Sequence, residues 1–340
     1  MNNCIHLIPN INPKNFFIQF LLRFSINNFN SNVRSLLLLS NGYLASGSGY
    51  RLEPGTINIW SLNIYEGTCE LRQKLNKHTN SVLKLIELAS EHDIASASAD
   101  HSVIIWSVNN GKKKLYSYIQ TLKAHTGRVM DLVDISRLCD SEQMMATCSE
   151  DKTIIIWTRN ENGLFEINQT IKKHTDYINA LVLLSNDDLV SSSHDKSIMI
   201  WSFNRQQKAF VHKQTLNHVS KVWPLLELNS KDLVSGDSNG SIQVWSNKNA
   251  ANEFKLKQNV QKHQANRWVS SLIELDNGDL ITSSFDFSIK IFSNLNRKQY
   301  DLKQVLLKHI SEVNVLVKLG NDCFASGSND KSINMWLFEY

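Results

Sequence analysis

The chain repeats itself. Seven stretches share one plan, in which small residues, a turn and an apolar run end on an aromatic side chain. The clearest copy is Ser191 to Trp201, SSSHDKSIMIW. Others are SASADHSVIIW ending at Trp106, TCSEDKTIIIW at Trp157, SGDSNGSIQVW at Trp245, TSSFDFSIKIF at Phe292 and SGSNDKSINMW at Trp336. A looser first copy, ASGSGYRLEPGTINIW, ends at Trp60. Successive ends lie 46, 51, 44, 44, 47 and 44 residues apart. A period of that length marks a modular fold, because one unit cannot bury its own apolar faces and must stack on its neighbours.

A second landmark keeps the same period. His78, His125, His174, His218, His263 and His309 precede six of the copies by 27 to 32 residues, and Phe29 stands at that place in the first. Between the landmarks run short segments rich in Val, Ile and Leu, broken by Asn, Asp, Gly and Ser. Such spacing predicts several short strands per unit. Four fit: a after the His, b into the Ser/Thr run, c up to the aromatic end, and d before the next His.

These residues resemble the WD-repeat family, over about residues 16 to 340. The detail departs from the pattern: Lys, Asn or Ala precedes the His, and Ser, Thr or Leu337 follows the aromatic end. The resemblance implies an all-β fold, a seven-bladed β-propeller of four-stranded antiparallel blades. Residues 1–14 are expected to be irregular and residues 15–340 to form one propeller. Tyr340 stands just after strand c of the last repeat, which lacks a strand d there. Aligning Phe29 with the repeat histidines places Phe20 to Ile26 on the other d segments, such as FEINQTI. An N-terminal strand is therefore expected to complete the last blade and close the ring, removing exposed sheet edges.

Three places break the period: Tyr50 to Pro54 between b and c of repeat one, Arg137 to Gln143 between a and b of repeat three, and Asn266 to Trp268 in repeat six. Insertions in repeat proteins map to loops. The resemblance assigns the first and third to the top face, made of b–c and d–a loops, and the second to the bottom.

One constellation imitates a hydrolase. His174, Ser191 and Asp195 hold the residue types of a catalytic triad. The set recurs, however, as His78, Ser96, Asp100 with Trp106, as His125, Thr147, Asp151 with Trp157, and as His309, Ser326, Asp330 with Trp336, just as Trp201 completes the first. An active site is needed once; a structural clip is needed in every blade. By resemblance, Asp holds one His nitrogen, Ser or Thr the other, and the indole N–H bonds the same hydroxyl, which satisfies buried polar groups. Asn239 replaces Asp in repeat five. Phe292 cannot donate in repeat six, so that clip should end at Thr282. Repeat one, with Phe29, should lack the clip.

Composition narrows the function. A net charge of +4 with interspersed signs is no nucleic-acid footprint. Five cysteines without a CxxC speak against a disulfide framework or a zinc site and for a reducing compartment, so a cytoplasmic or nuclear location is expected. The N-terminal apolar run, interrupted by Gln19 and Arg23, suits neither a signal peptide nor a membrane span. No GxxxxGK[ST] or HExxH occurs, and no metal or cofactor is expected. The resemblance implies that partners meet the top face at the start of strand a and just before the turn Asp. The first group contains Arg34, Arg128, Tyr177, Lys221, Trp223, Arg267 and Trp268, and the second Glu150, His194 and Phe285. The reading is a non-enzymatic scaffold, monomeric within a larger complex, that binds other proteins or peptides, with acidic, phosphorylated or ubiquitin ligands as subclasses. The alternatives are an enzyme with an atypical site in the central channel and a nucleic-acid-binding propeller.

Overall fold

A computed structural model of the chain describes residues 19–27, 29–50, 53–89, 92–108, 115–139, 142–248, 253–260, 263–294, 299–320 and 322–339. Residues 1–14, expected to be irregular, lie outside that set, as do Arg51, Leu52, Asp140 and Ser141 of two insertions.

The described residues form seven antiparallel sheets of four strands each. Blades 1 to 6 occupy residues 33–76, 82–122, 129–171, 178–217, 222–260 and 269–306, with strands a to d in chain order. In blade 4 these are Ile178–Leu183, Leu189–Ser193, Ser197–Asn204 and Ala209–Asn217. Blade 7 takes a, b and c from Val313–Lys318, Cys323–Ser328 and Ile333–Glu339, and d from Gln19–Ile26. Phe20 pairs with Phe338 and Ile26 with Ile333, so the N-terminal strand closes the ring as the alignment of the repeats predicts. The helical content among the described residues is a single 3-10 turn, Ser136–Leu138, at the start of the insertion of repeat three.

Each blade is buried against its neighbours. Seven apolar clusters lie at the seams; Ile57 and Ile59 of blade 1, for example, pack with Ile94, Ile104 and Trp106 of blade 2. Every strand b is buried along its length, which explains its small residues. At Gly47 a Cβ would meet Val82 of the next blade at 2.8 Å, and at Gly327 it would meet Val33 at 2.6 Å. Only a residue without a side chain lets these seams close without displacement.

A second repeated device was not apparent from the repeat landmarks. Strand d bulges opposite the terminal aromatic in every blade. The residue just after the bulge is Gln73, Gln120, Gln169, Gln214, Gln258 or Gln304 in blades 1 to 6. Each glutamine both accepts from and donates to the backbone of an aromatic residue in, or immediately before, strand d of the next blade. The partners are Tyr116, Phe165, Phe210, Phe254, Tyr300 and Phe20, at 2.7–3.2 Å. The last clamp fastens the N-terminal strand to blade 6. The seam between blades 7 and 1 differs, with Phe24 at the glutamine position and Cys69 at the aromatic one. Phe24, Phe29, Trp60 and Leu62 pack there instead.

The bulged residue itself carries a charge in several blades. Lys213, Lys257 and Lys303 reach Asp188, Asp232 and Asp279 at 2.6, 2.6 and 2.8 Å. Bulges and lysines on an outer strand also discourage edge-to-edge pairing between molecules.

Gln304→Ala is expected to lower stability by about 1–3 kcal/mol, since two buried backbone groups of Phe20 lose their partner. Removing residues 1–28 is expected to give open or insoluble protein, because blade 7 would then end on strand c. Denaturant titration of the first variant and size-exclusion chromatography of the second check both; a stable, monomeric deletion would refute closure by this strand.

Candidate functional site

Four blades hold the complete hydrogen-bonded set. In blade 4, His174 Nδ1 lies 2.7 Å from Asp195 Oδ2 and Nε2 lies 2.7 Å from Ser191 Oγ. The Trp201 indole N–H donates to the same hydroxyl at 2.9 Å. Blades 2, 3 and 7 repeat this through His78, His125 and His309 within 2.7–2.9 Å. The neutral tautomer that satisfies every atom donates from Nδ1 to the carboxylate and accepts at Nε2 from the hydroxyl. Asp195 also accepts from the Thr175 and Ser197 N–H groups and the Ser197 hydroxyl. These are buried, saturated networks, and the hydroxyl that a triad would use as a nucleophile is committed to the tryptophan.

The incomplete blades are informative. In blade 6, His263 meets Asp286 at 2.9 Å and Thr282 at 2.7 Å, and buried Phe292 adds no donor. In blade 1, Trp60 still donates to Ser46 at 2.9 Å, while Phe29 meets the indole edge-on. In blade 5, Trp245 donates to Ser235 at 2.9 Å, but His218 Nδ1 finds only Asp237, 3.5 Å away and too far for a hydrogen bond. Asn239, at the clip position, turns elsewhere. Its Oδ1 accepts from the Asn266 N–H at 3.1 Å, in the insertion of repeat six. Gly240 beside it has φ +75°, and a Cβ there would strike the Gln264 carbonyl at 2.7 Å. Blade 5 thus gives its clip residue to the support of the insertion that carries Arg267 and Trp268.

Burial works against ionisation of the clip carboxyls, but hydrogen bonds from His, the following Ser or Thr hydroxyl and a backbone N–H prevail, helped by the nearby imidazole. Asp330 is held at about 2, and Asp100, Asp151, Asp195 and Asp286 lie lower still.

The other candidates fall into two rings around the channel mouth. The inner ring is made by bulges at the start of strand a, which re-aim one side chain per blade. Its members are Arg34, Leu83, Met130, Asn179, Trp223 with Pro224, Ser270 and Asn314. The outer ring pairs a residue before strand a with one before the b–c turn through a backbone bond. Glu150 N–H donates to Arg128, His194 to Tyr177, Ser238 to Lys221, and Phe285 to Trp268.

The two rings bring five of the candidate aromatic residues into one chain of contacts. Tyr177 meets His194 at 5.3 Å, His194 meets Trp268 at 5.2 Å, Trp268 meets Trp223 at 5.5 Å, and Trp223 meets Phe285 at 5.9 Å. Trp223, Trp268, His194 and Phe285 are half-buried and Tyr177 is exposed. Burial, with the nearby Lys221 charge, lowers the His194 pKa and favours the neutral ring. Lys221 and Arg267 flank this chain, exposed and with no ion-pair partner among the described residues. Arg128 and Arg34 stand apart, on blades 3 and 1. Arg128 pairs with Glu150 at 3.7 Å, and Arg34 is recessed, donating to Asn314 at 3.3 Å. A cavity of about 400 Å³ in the channel is lined by Arg34, Arg128, Trp223 and Phe285.

On the opposite side, the insertion of repeat three serves as a latch. Arg137 donates to the Leu184 carbonyl and Arg205 to that of Leu138, while Arg205 pairs with Asp187 at 2.8 Å. Among the described residues no group of three His, Cys, Asp or Glu is placed to hold a metal ion, and no helix is long and apolar enough to cross a membrane.

The family model described as "WD domain, G-beta repeat" matches residues 116–158 and 165–202. Each match runs from strand d of one blade through strand c of the next, one strand out of phase with the blades, and ring closure at the N-terminal strand has the same phase. The chain sets these two matched repeats in a ring of seven four-stranded blades, which supports a WD-repeat β-propeller. It is also 34% identical over 75 residues to "WD repeat and FYVE domain-containing protein 2" of Caenorhabditis briggsae. That match covers 22% of this chain and 17% of the relative. The WD-repeat propeller is generally a non-enzymatic protein-interaction scaffold.

His174→Ala is expected to destabilise the propeller by about 1–3 kcal/mol, because Asp195 and Ser191 lose buried partners. His218→Ala should cost clearly less, since its Nδ1 has no hydrogen bond to lose. The lowered carboxyl pKa values fix the sign of the acid response. Their stabilisation is complete above the unfolded value of about 4 and disappears as pH falls through the folded values. Thermal melts should therefore drop steeply from pH 4 to pH 2, and Asp195→Asn should narrow its deficit against the wild type over that window.

Proposed function

We propose that this propeller is a non-enzymatic scaffold whose top face, centred on blades 4 to 6, binds an acidic segment of another protein. The observation that carries this reading is the continuous chain of five rings, Tyr177 to Phe285, beside the unpaired cations Lys221 and Arg267. Half-buried aromatic side chains with Arg are the types on which binding energy concentrates. Free cations at the rim supply long-range attraction and orientation. The insertion of repeat six supports the same face, because Asn266 to Trp268 are not needed to build a blade and are held by a dedicated contact from Asn239.

The enzyme alternative loses its best residues to the clips, which recur from blade to blade. The nucleic-acid alternative meets carboxylates on the same outer ring, Glu150 and Glu312, which would repel a polyanion. Arg128 contributes less to attraction than the sequence suggests, since Glu150 offsets its charge.

The double variant Lys221→Glu with Arg267→Glu should melt like the wild type, both side chains being exposed, yet lose its co-purifying partners. Trp268→Ser should lose the same partners. Arg128→Glu should weaken capture only modestly. Retention of every partner by the double variant and by Trp268→Ser would refute this face and direct attention to the latch at Arg137 to Gln143.

A further inference from the structure

The inner ring holds one charged side chain, Arg34, against six neutral positions. Its Nε is buried without a hydrogen-bond partner, and so is the Oγ of the adjacent Ser35. Both residues line the channel cavity. Among the described residues, no carboxylate lies within ion-pair distance of the Arg34 guanidinium. Glu312 of blade 7 acts on it only at longer range and is already bonded to Ser311 and Asn329. Arg128 of blade 3 adds a like charge, and the cavity's other cation and anion, Lys84 and Asp131, satisfy each other at 3.0 Å. Burial disfavours the charge of Arg34. A desolvated cation with an unused donor is complete only when an anionic acceptor arrives.

The rest of the cavity wall mixes polar residues, such as Asn179, Ser270 and Asn314, with apolar ones. Leu83, Met130, Trp223 and Pro224 line it, and Trp223 belongs at once to the cavity and to the aromatic chain on the rim. A ligand following the rim is therefore led to the cavity without leaving apolar contact. We propose that the channel receives one side chain of the bound segment, a glutamate whose methylenes lie along Met130 and Trp223 and whose carboxylate accepts from Arg34. This inference deepens the top-face reading and rests on it. It adds that the partner carries an acidic anchor at one fixed position, rather than a diffuse negative charge. A doubly charged phosphate suits the cavity less well, because Asp131, Glu150 and Glu312 stand close to its cations.

A library of random twelve-residue peptides selected on the intact chain at low salt supplies the probe. Enriched sequences should share one glutamate next to apolar residues. Replacing that glutamate by glutamine in a synthetic copy should weaken binding at least tenfold on the wild type and hardly at all on Arg34→Met. Such non-additivity is the signature of direct contact. Should Arg34→Met melt early, Arg34→Lys, which keeps the charge and loses the Nε donor, is measured in the same cycle and should retain only part of the coupling. Equal losses on wild type and both variants would overturn the inference, as would selection without an acidic consensus. Peptides sensitive to Lys221→Glu and Trp268→Ser but indifferent to Arg34 would overturn it and leave the top-face reading standing. Peptides indifferent to all three would remove both.

Discussion

Everything in this molecule depends on the seams between blades. A four-stranded blade has two apolar faces and no partner of its own, so each is buried only because another follows. Clusters such as that of Ile57, Ile94 and Trp106 supply the bulk of this burial, at about 1.5–3 kcal/mol for each large aliphatic side chain taken from water. Burial alone is non-directional and would let the sheets slide. The glutamine clamps fix the register, because each places a donor and an acceptor on one backbone unit of the next blade. The seam between blades 7 and 1 replaces this device with packing of Phe24, Phe29, Trp60 and Leu62. It is the seam that ring closure creates and the one with no clamp.

Repetition made the architecture legible in the sequence. Seven aligned ends and six histidines define the period, and the period places the strands, including Phe20 to Ile26 far from its sheet neighbours in the chain. The clips were legible for the same reason, since Ser191, Asp195 and Trp201 recur with His174 at nearly constant spacing. The glutamines recur too, from Gln73 to Gln304, but a polar residue on an outer strand gives no sign of its partner until the next blade is in place. The charge pairs, such as Lys213 with Asp188, stayed hidden because the bulge shifts the lysine out of simple strand alternation.

The candidate positions were legible in the sequence, and their grouping less so. Counting from the repeat landmarks finds Tyr177, His194, Trp223, Trp268 and Phe285, yet treats Arg34 and Trp223 as equivalent to Arg128 and Lys221. The strand-a bulges separate them, aiming Arg34 and Trp223 into the channel, whereas Arg128 borders the same cavity from the outer ring and Lys221 does not line it. Charges were the least predictable part. Arg128 has Glu150 beside it through a backbone bond between their loops, whereas Lys221 faces Ser238 in the same arrangement and keeps its charge unpaired.

Redundancy explains how an irregular aromatic cluster can arise on so regular a frame. A fold that rested on one hydrogen-bond network could not surrender a member of it. Here the network is repeated, and blade 5 retains the Trp245 to Ser235 bond and its apolar seams when Asn239 no longer serves His218. The asparagine then holds Asn266, Gly240 admits the Gln264 carbonyl, and the extra residues bring Trp268 against both Trp223 and His194. Two blades that vary the clip, 5 and 6, are also the ones that carry the aromatic centre of the mouth. The weakening of a local structural rule and the construction of the surface are, at this place, one event: the contact that blade 5 gives up internally is the contact that positions Trp268.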